Sequence, residues 1–127
     1  MTGETPAGLQ ETQRSRVSDD KIATVTGSTF TRLVLEGKGP IVVEFMSYGC
    51  AHCRVMEPVL QQVAGMVNAT EKIFRVNNAV DQELVDSYEI LGTPTLVMFL
   101  NGNEVARVEG PRPTVSSVLS IVTQAFQ

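Results

Sequence analysis

The five residues Ile41-Val-Val-Glu-Phe45 constrain this 127-residue chain more than any others. Three are β-branched, a fourth is aromatic, and Gly39 and Gly49 stand close on either side. So short and nearly continuous an apolar run predicts a strand buried on both faces. Strands of that kind lie at the centre of a sheet that is at least partly parallel, and each face of such a sheet needs its own layer of helices. Glu44 interrupts the run. A carboxylate in an apolar strand is costly unless paired or protonated, so Glu44 either serves a purpose in the interior, turns to the surface, or pairs with a cation such as Arg75.

The remaining segments supply the layers. A short strand is expected over residues 21–24, then a helix capped by Ser28, carrying Phe30, Leu33 and Val34 on one face and stopped by Gly37 or Gly39. After the central strand and a loop over 46–49, Met56, Val59, Leu60, Val63 and Val67 recur at helical spacing, with Pro58 kinking that helix from inside. Another strand is expected over 73–77 and a short helix around Leu84, Val85 and Tyr88. Residues 95–100 and 104–108 flank Asn101-Gly102, a strong hairpin signal, so these two strands are antiparallel. Val115, Val118, Leu119, Val122 and Phe126 form a last helix that covers one sheet face. The order is strand, helix, strand, helix, strand, helix, hairpin, helix, which makes an α/β sandwich with a mixed sheet of about five strands and about four helices.

Composition adds exclusions. With 43% hydrophobic and 19% charged residues, the chain can bury one core, assigned to a single domain over residues 21–127. Residues 1–20 hold almost no large apolar side chains and read as a flexible tail. A net charge of −4 leaves no basic stripe for nucleic acid. The apolar runs fall short of the roughly 20 residues that span a bilayer, so no membrane segment is expected. No secretory signal pattern is visible in residues 1–20, which points to the cytoplasm unless such a segment has been removed.

The only two cysteines lie in Cys50-Ala51-His52-Cys53, directly after the buried strand and in the first turn of the long helix. That context reads as redox. Unpaired N–H groups and the partial positive charge of a helix N-terminus favour thiolate at Cys50, and Cys53, three residues on, is within reach for a disulfide. The alternatives are a static disulfide, two buried thiols, or a zinc site. Zinc needs four ligands, and this turn with its single histidine, His52, offers at most three, so no metal is expected.

Taken together, the segment from Ile41 through Cys50-Ala-His-Cys53 to Glu57-Pro58 resembles the strand, active-site loop and kinked helix of thioredoxins. The likeness continues through Phe74-Arg-Val-Asn77, Leu91-Gly-Thr-Pro-Thr-Leu-Val-Met-Phe99 and the Asn101-Gly102 hairpin, and spans about residues 21–127. It implies a thioredoxin fold and a thiol-disulfide oxidoreductase that works without a cofactor beyond its cysteine pair. Cys50 would be the nucleophile and Cys53 the resolving cysteine. Thr93-Pro94 would be a cis-proline loop receiving an extended substrate, with Gly92 and Gly110 as loop glycines beside the groove. Pro58 would be the helix-kinking proline. Glu44 stands where the family buries an aspartate that accepts the resolving thiol's proton, and Arg75 where a lysine often lies near that carboxylate. Protein disulfides would be the substrates, another protein the recycling reductase, and the chain itself a monomer.

Two departures bear on mechanism. Thioredoxins usually carry tryptophan before the first cysteine, whereas this chain has Tyr48-Gly49, which with Ala51 makes a more open rim. His52 resembles the histidine of periplasmic disulfide oxidases with a Cys-Pro-His-Cys site; a partly protonated imidazole beside Cys50 would stabilise the thiolate and make the disulfide more oxidising. The large helical insertion of those oxidases is missing. Reduction of protein disulfides is therefore the primary expectation. An exported oxidase or isomerase, or a peptide-binding chaperone-like module without turnover, are its rivals.

Overall fold

The computed structural model describes residues 20–127. The tail expected over residues 1–20 lies outside them apart from Asp20. That residue is tied down: its Oδ1 accepts from the Ile22 N–H at 3.1 Å and from Gln61 Nε2 at 2.6 Å.

Strand β2, Pro40–Met46, is the centre of the sheet, as the apolar run requires. The order is β1 (Ala23–Thr24), β3 (Lys72–Asn77), β2, β4 (Thr95–Leu100), β5 (Asn103–Glu109). The pairs β1–β3 and β3–β2 are parallel, while β2–β4 and β4–β5 are antiparallel, so the sheet is mixed. Every residue from Ile41 to Met46 is buried.

Alternation along β2 feeds two separate cores. Ile41, Val43 and Phe45 pack with Phe30, Val34, Val85 and Phe99. That layer holds α1, the five-residue segment Thr31–Leu35, and α3, Gln82–Ser87. Tyr88 joins it with ring centroids 5.4 Å from Phe30 and 5.8 Å from Phe99. On the other face Val42 packs with Met56, Leu60, Val63, Val118 and Val122, from α2 (Ala51–Val67) and α4 (Val115–Gln124). Glu44 occupies this second face, between Arg75 on β3 and Leu96 on β4.

The first helix departs from expectation. It is wound as a π-helix, closed by the Glu36 N–H to Thr31 O bond of 2.8 Å. Ser28 caps no backbone donor. The preceding turn is instead closed by Thr26 and Thr29: Thr29 Oγ1 accepts from the Thr26 N–H, and the Phe30 N–H reaches the Thr26 carbonyl. A hydroxyl in the right bonding position matters more than proximity to the first apolar residue, which is why Ser28 misleads.

Asn101 and Gly102 both have positive φ, 51° and 85°, the conformation that a two-residue hairpin of this kind demands. Here the glycine is required twice, because a Cβ at position 102 would also overlap the Leu35 carbonyl oxygen. Gly102→Ala should therefore cost more than about 1 kcal/mol. Urea unfolding checks this, and an unchanged midpoint would contradict the contact with Leu35.

Candidate active site

The site forms where β2 delivers the chain to α2. Cys50 is the N-cap of α2, with extended backbone (φ −86°, ψ 118°), and its sulfur accepts from the Cys53 N–H at 3.1 Å. Sulfur thus fills the place usually taken by a serine or aspartate oxygen, and the otherwise unpaired amides of the first turn face it. The loop ahead is braced by the Cys50 N–H to Ser47 O bond of 3.1 Å, and by Arg54 Nη1 donating to the Tyr48 carbonyl at 3.2 Å. Tyr48, Gly49 and Ala51 are exposed around it, Tyr48 by 61%.

Both cysteines are free thiols, and their surroundings differ. Partial burial works against a Cys50 thiolate. Hydrogen bonds from the Cys53 thiol, the Thr93 side chain and the N–H groups of Cys53 and His52 outweigh it, so the thiol lies below its ordinary value. Cys53 is buried, and burial together with the hydrogen bond it gives to Cys50 pushes it up to about 11. One accessible sulfur ready to ionise sits beside one sheltered sulfur that holds its proton.

Across from Cys50, the Thr93-Pro94 peptide is cis, and the Thr93 carbonyl is 3.6 Å from Cys50 Sγ. The Thr95 hydroxyl bonds the Gly92 carbonyl at 2.7 Å, and the Gly110 N–H bonds the Pro94 carbonyl at 2.8 Å. The His52 ring reaches into this same loop system. Its Nε2 lies 2.9 Å from the Pro111 carbonyl, which can only accept, so Nε2 carries the proton and donates. The expectation for His52 put its imidazole to work on Cys50. In the structure the ring holds the Gly110-Pro111 loop, and the part of His52 that supports the Cys50 sulfur is its main-chain N–H.

On β2, Glu44 is fully buried, and neither carboxylate oxygen has a hydrogen-bond partner. Burial, reinforced by the charges of Glu57 and Cys50 and opposed by Arg75, raises its pKa to about 7. Pairing between Glu44 and Arg75, one of the alternatives the sequence left open, does not occur. Arg75 gives its Nη2 to Glu57 at 2.6 Å and its Nη1 to Ile22 O at 3.0 Å and Asp20 at 3.4 Å. Exposure of Glu44 is excluded as well. Pro58 lies inside α2, where it lacks the N–H that would bond the Arg54 carbonyl.

Glu57 and Asp20 escaped the sequence reading. Glu57 follows Cys53 by four residues and so shares its helix face, a spacing that could have drawn attention to it. Asp20 carried no local signal. Both line a cavity of about 420 Å³ that Cys53, Arg75 and Tyr48 also border. Among the described residues, no group of three or more His, Cys, Asp or Glu could hold a metal ion, and no helix is long and apolar enough to cross a membrane.

A CxxC pair at a helix N-cap, facing a cis-proline on the edge of a mixed α/β sandwich, defines a thiol-disulfide oxidoreductase. The sequence pattern of the thioredoxin family matches residues 21–122. The chain is 34% identical over 99 residues to thioredoxin 1 of Nostoc sp., an alignment covering 76% of this chain and 92% of that protein. It is 32% identical over 91 residues to thioredoxin of Pseudomonas aeruginosa, covering 72% and 84%. Its fold matches that of a mutant thioredoxin from Halobacterium salinarum with a TM-score of 0.74 at 23% identity, over 86% of this chain and 94% of that one. The chain belongs to the thioredoxin family. Its substrates are accordingly disulfide-bearing proteins, and a reductase is the partner that recycles it.

The buried carboxyl has a consequence for stability. Between pH about 4.5 and about 7 the folded chain keeps a proton on Glu44 that the unfolded chain has lost. Stability from this group is therefore full below that window, falls as pH rises through it, and is lost by about 3 kcal/mol above it. Urea unfolding at pH 5 and pH 8 should show Glu44→Gln lacking this decline. The same pH dependence in both proteins would contradict a carboxyl raised by burial.

Proposed function

We propose that the protein reduces disulfides in partner proteins, with Cys50 as nucleophile and Cys53 as resolving cysteine. The observation that carries this reading is the contrast between the two thiols: Cys50 partly exposed and lowered, Cys53 buried and held at about 11.

The Cys50 thiolate attacks one sulfur of the partner's disulfide. That bond breaks, a Cys50–partner bond forms, and the other partner sulfur leaves as a thiolate that takes up a proton. The extended partner segment lies along the loop at Gly92, Thr93 and Pro94, with Tyr48, Gly49, Ala51 and Gly110 on the rim. The new mixed disulfide removes the negative charge from Cys50, which eases ionisation of Cys53. Glu44, half ionised near neutral pH, accepts the Cys53 proton. The Cys53 thiolate then attacks Cys50 Sγ and expels the second partner sulfur. Two electrons have passed to the partner, and the Cys50–Cys53 disulfide awaits its reductase. His52 steadies the loop through Pro111 and supports the Cys50 thiolate through its main-chain N–H. The reductive direction suits a monomer in a reducing compartment such as the cytoplasm, where glutathione keeps thiols reduced.

Insulin reduction should fall at least a thousandfold in Cys50→Ser, while Cys53→Ser should stall as a covalent adduct with insulin visible by mass spectrometry. Full activity of Cys50→Ser would overturn the assignment. The reduction potential of the pair tests the direction: a value near that of known thioredoxins supports a reductant, and one far less negative supports an oxidase or isomerase instead.

A further inference from the structure

Glu44 and Arg75 stand directly opposite each other in the parallel register of β2 and β3. An acid and a base so placed would ordinarily pair, and the acid here has two buried oxygens with nothing to bond. The guanidinium nevertheless points elsewhere. Its shortest bond, 2.6 Å, goes to Glu57 on α2, and Asp20 and the Ile22 carbonyl take its other terminal nitrogen. Glu57 is itself fixed: Gln61, one helical turn on, donates to the same Oε2 at 2.8 Å and to Asp20 at 2.6 Å. The Arg75 side chain is only 6% exposed, so its orientation is decided among these few partners.

We propose that Glu57 is a positioning residue for the proton step: it holds the Arg75 guanidinium at the cavity wall, away from Glu44, and so leaves the Glu44 carboxyl free to take up and give back a proton. This deepens the proposed function, since it rests on Glu44 accepting the proton of Cys53. The chemistry requires some such arrangement. A buried carboxylate bonded to an arginine is locked in its charged form and is a poor proton carrier, whereas an unpaired one can exchange protons near neutral pH. The groups that face Glu44 are few. Cys50 and Glu57 come from α2 and its cap, Arg75 comes from β3, and Asp20, which precedes β1, is bonded to Arg75. The shift of Glu44 agrees in sign with this balance, burial first, Glu57 adding to it and Arg75 opposing it. In the reaction the proton leaves Cys53 Sγ for a Glu44 oxygen as the mixed disulfide resolves. It is released from Glu44 to solvent once the pair is oxidised.

The test is a carbon-13 titration of the Glu44 carboxyl by NMR in the reduced full chain. Glu57→Gln should lower the midpoint by about one pH unit, a tenfold loss of proton affinity, because the freed guanidinium turns to Glu44. Glu57→Asp should restore most of it. Arg75→Gln should raise the midpoint, and Glu57→Gln added to that background should shift it by less than half as much as in the wild type. If Arg75→Gln does not fold, Arg75→Met, which also removes the cation, takes its place. An unmoved midpoint in Glu57→Gln overturns the proposal, and so does an equal shift in both backgrounds, which would mean that Glu57 acts by its own charge alone. The acid limb of the insulin-reduction pH profile should move with the midpoint. Glu44→Gln with unaltered activity and pH profile would instead remove Glu44 as proton acceptor, whatever the titrations of Glu57 show.

Discussion

The hydrogen bond from the Cys53 N–H to the Cys50 sulfur joins the fold to the chemistry. A helix start leaves amide donors that must find acceptors, and here the acceptor is the reactive atom. The same bond closes the first turn of α2, sets the spacing of the two sulfurs, and favours the thiolate of the first over that of the second. The anchoring comes from both sides. Strand β2 is locked into the middle of the sheet by β3 and β4, and α2 is clamped over it by Met56, Leu60 and Val63. Neither can move without exposing core, so the junction between them has one position.

The cis-proline loop shares this economy of contacts. Pro94 is tied to Gly110, and Pro111 is tied to the ring of His52, which belongs to the same helical turn as the cysteines. His52, one of the two residues between the cysteines, therefore spans the site from its nucleophile to the far side of the loop that faces it. A hydrogen bond donated from Nε2 survives either charge state of the imidazole, because both carry a proton there. This gives His52 a mechanical part that its electrostatic part does not require.

Burial of Glu44 costs stability at neutral pH, and the sheet tolerates it because the surrounding apolar contacts are extensive on both faces. In the Asp20, Glu57 and Arg75 cluster the two carboxylates are partly exposed, and the buried Arg75 guanidinium reaches both of them. An unpaired acid within the layer beside a paired base is an arrangement in which function, not stability, decides where the charge goes.

Much of this was written in the sequence. Periodicity located β2, α2 and α4, because a two-face strand and amphipathic helices leave linear patterns; the Asn101-Gly102 turn and the CxxC after a buried strand are likewise local. The start of the first helix misled, since the choice among Thr26, Ser28 and Thr29 depends on hydroxyl geometry that spacing does not encode. What lay wholly outside a linear reading was the pairing of charges. Arg75 is 55 positions from Asp20 and 18 from Glu57, and its natural partner by register, Glu44, is the one it does not bond. The bond of His52 to Pro111 spans 59 positions in the same way. Sequence patterns record which face of an element is apolar; which of several acids an arginine reaches depends on distances of a few ångströms between elements, and only packing sets those.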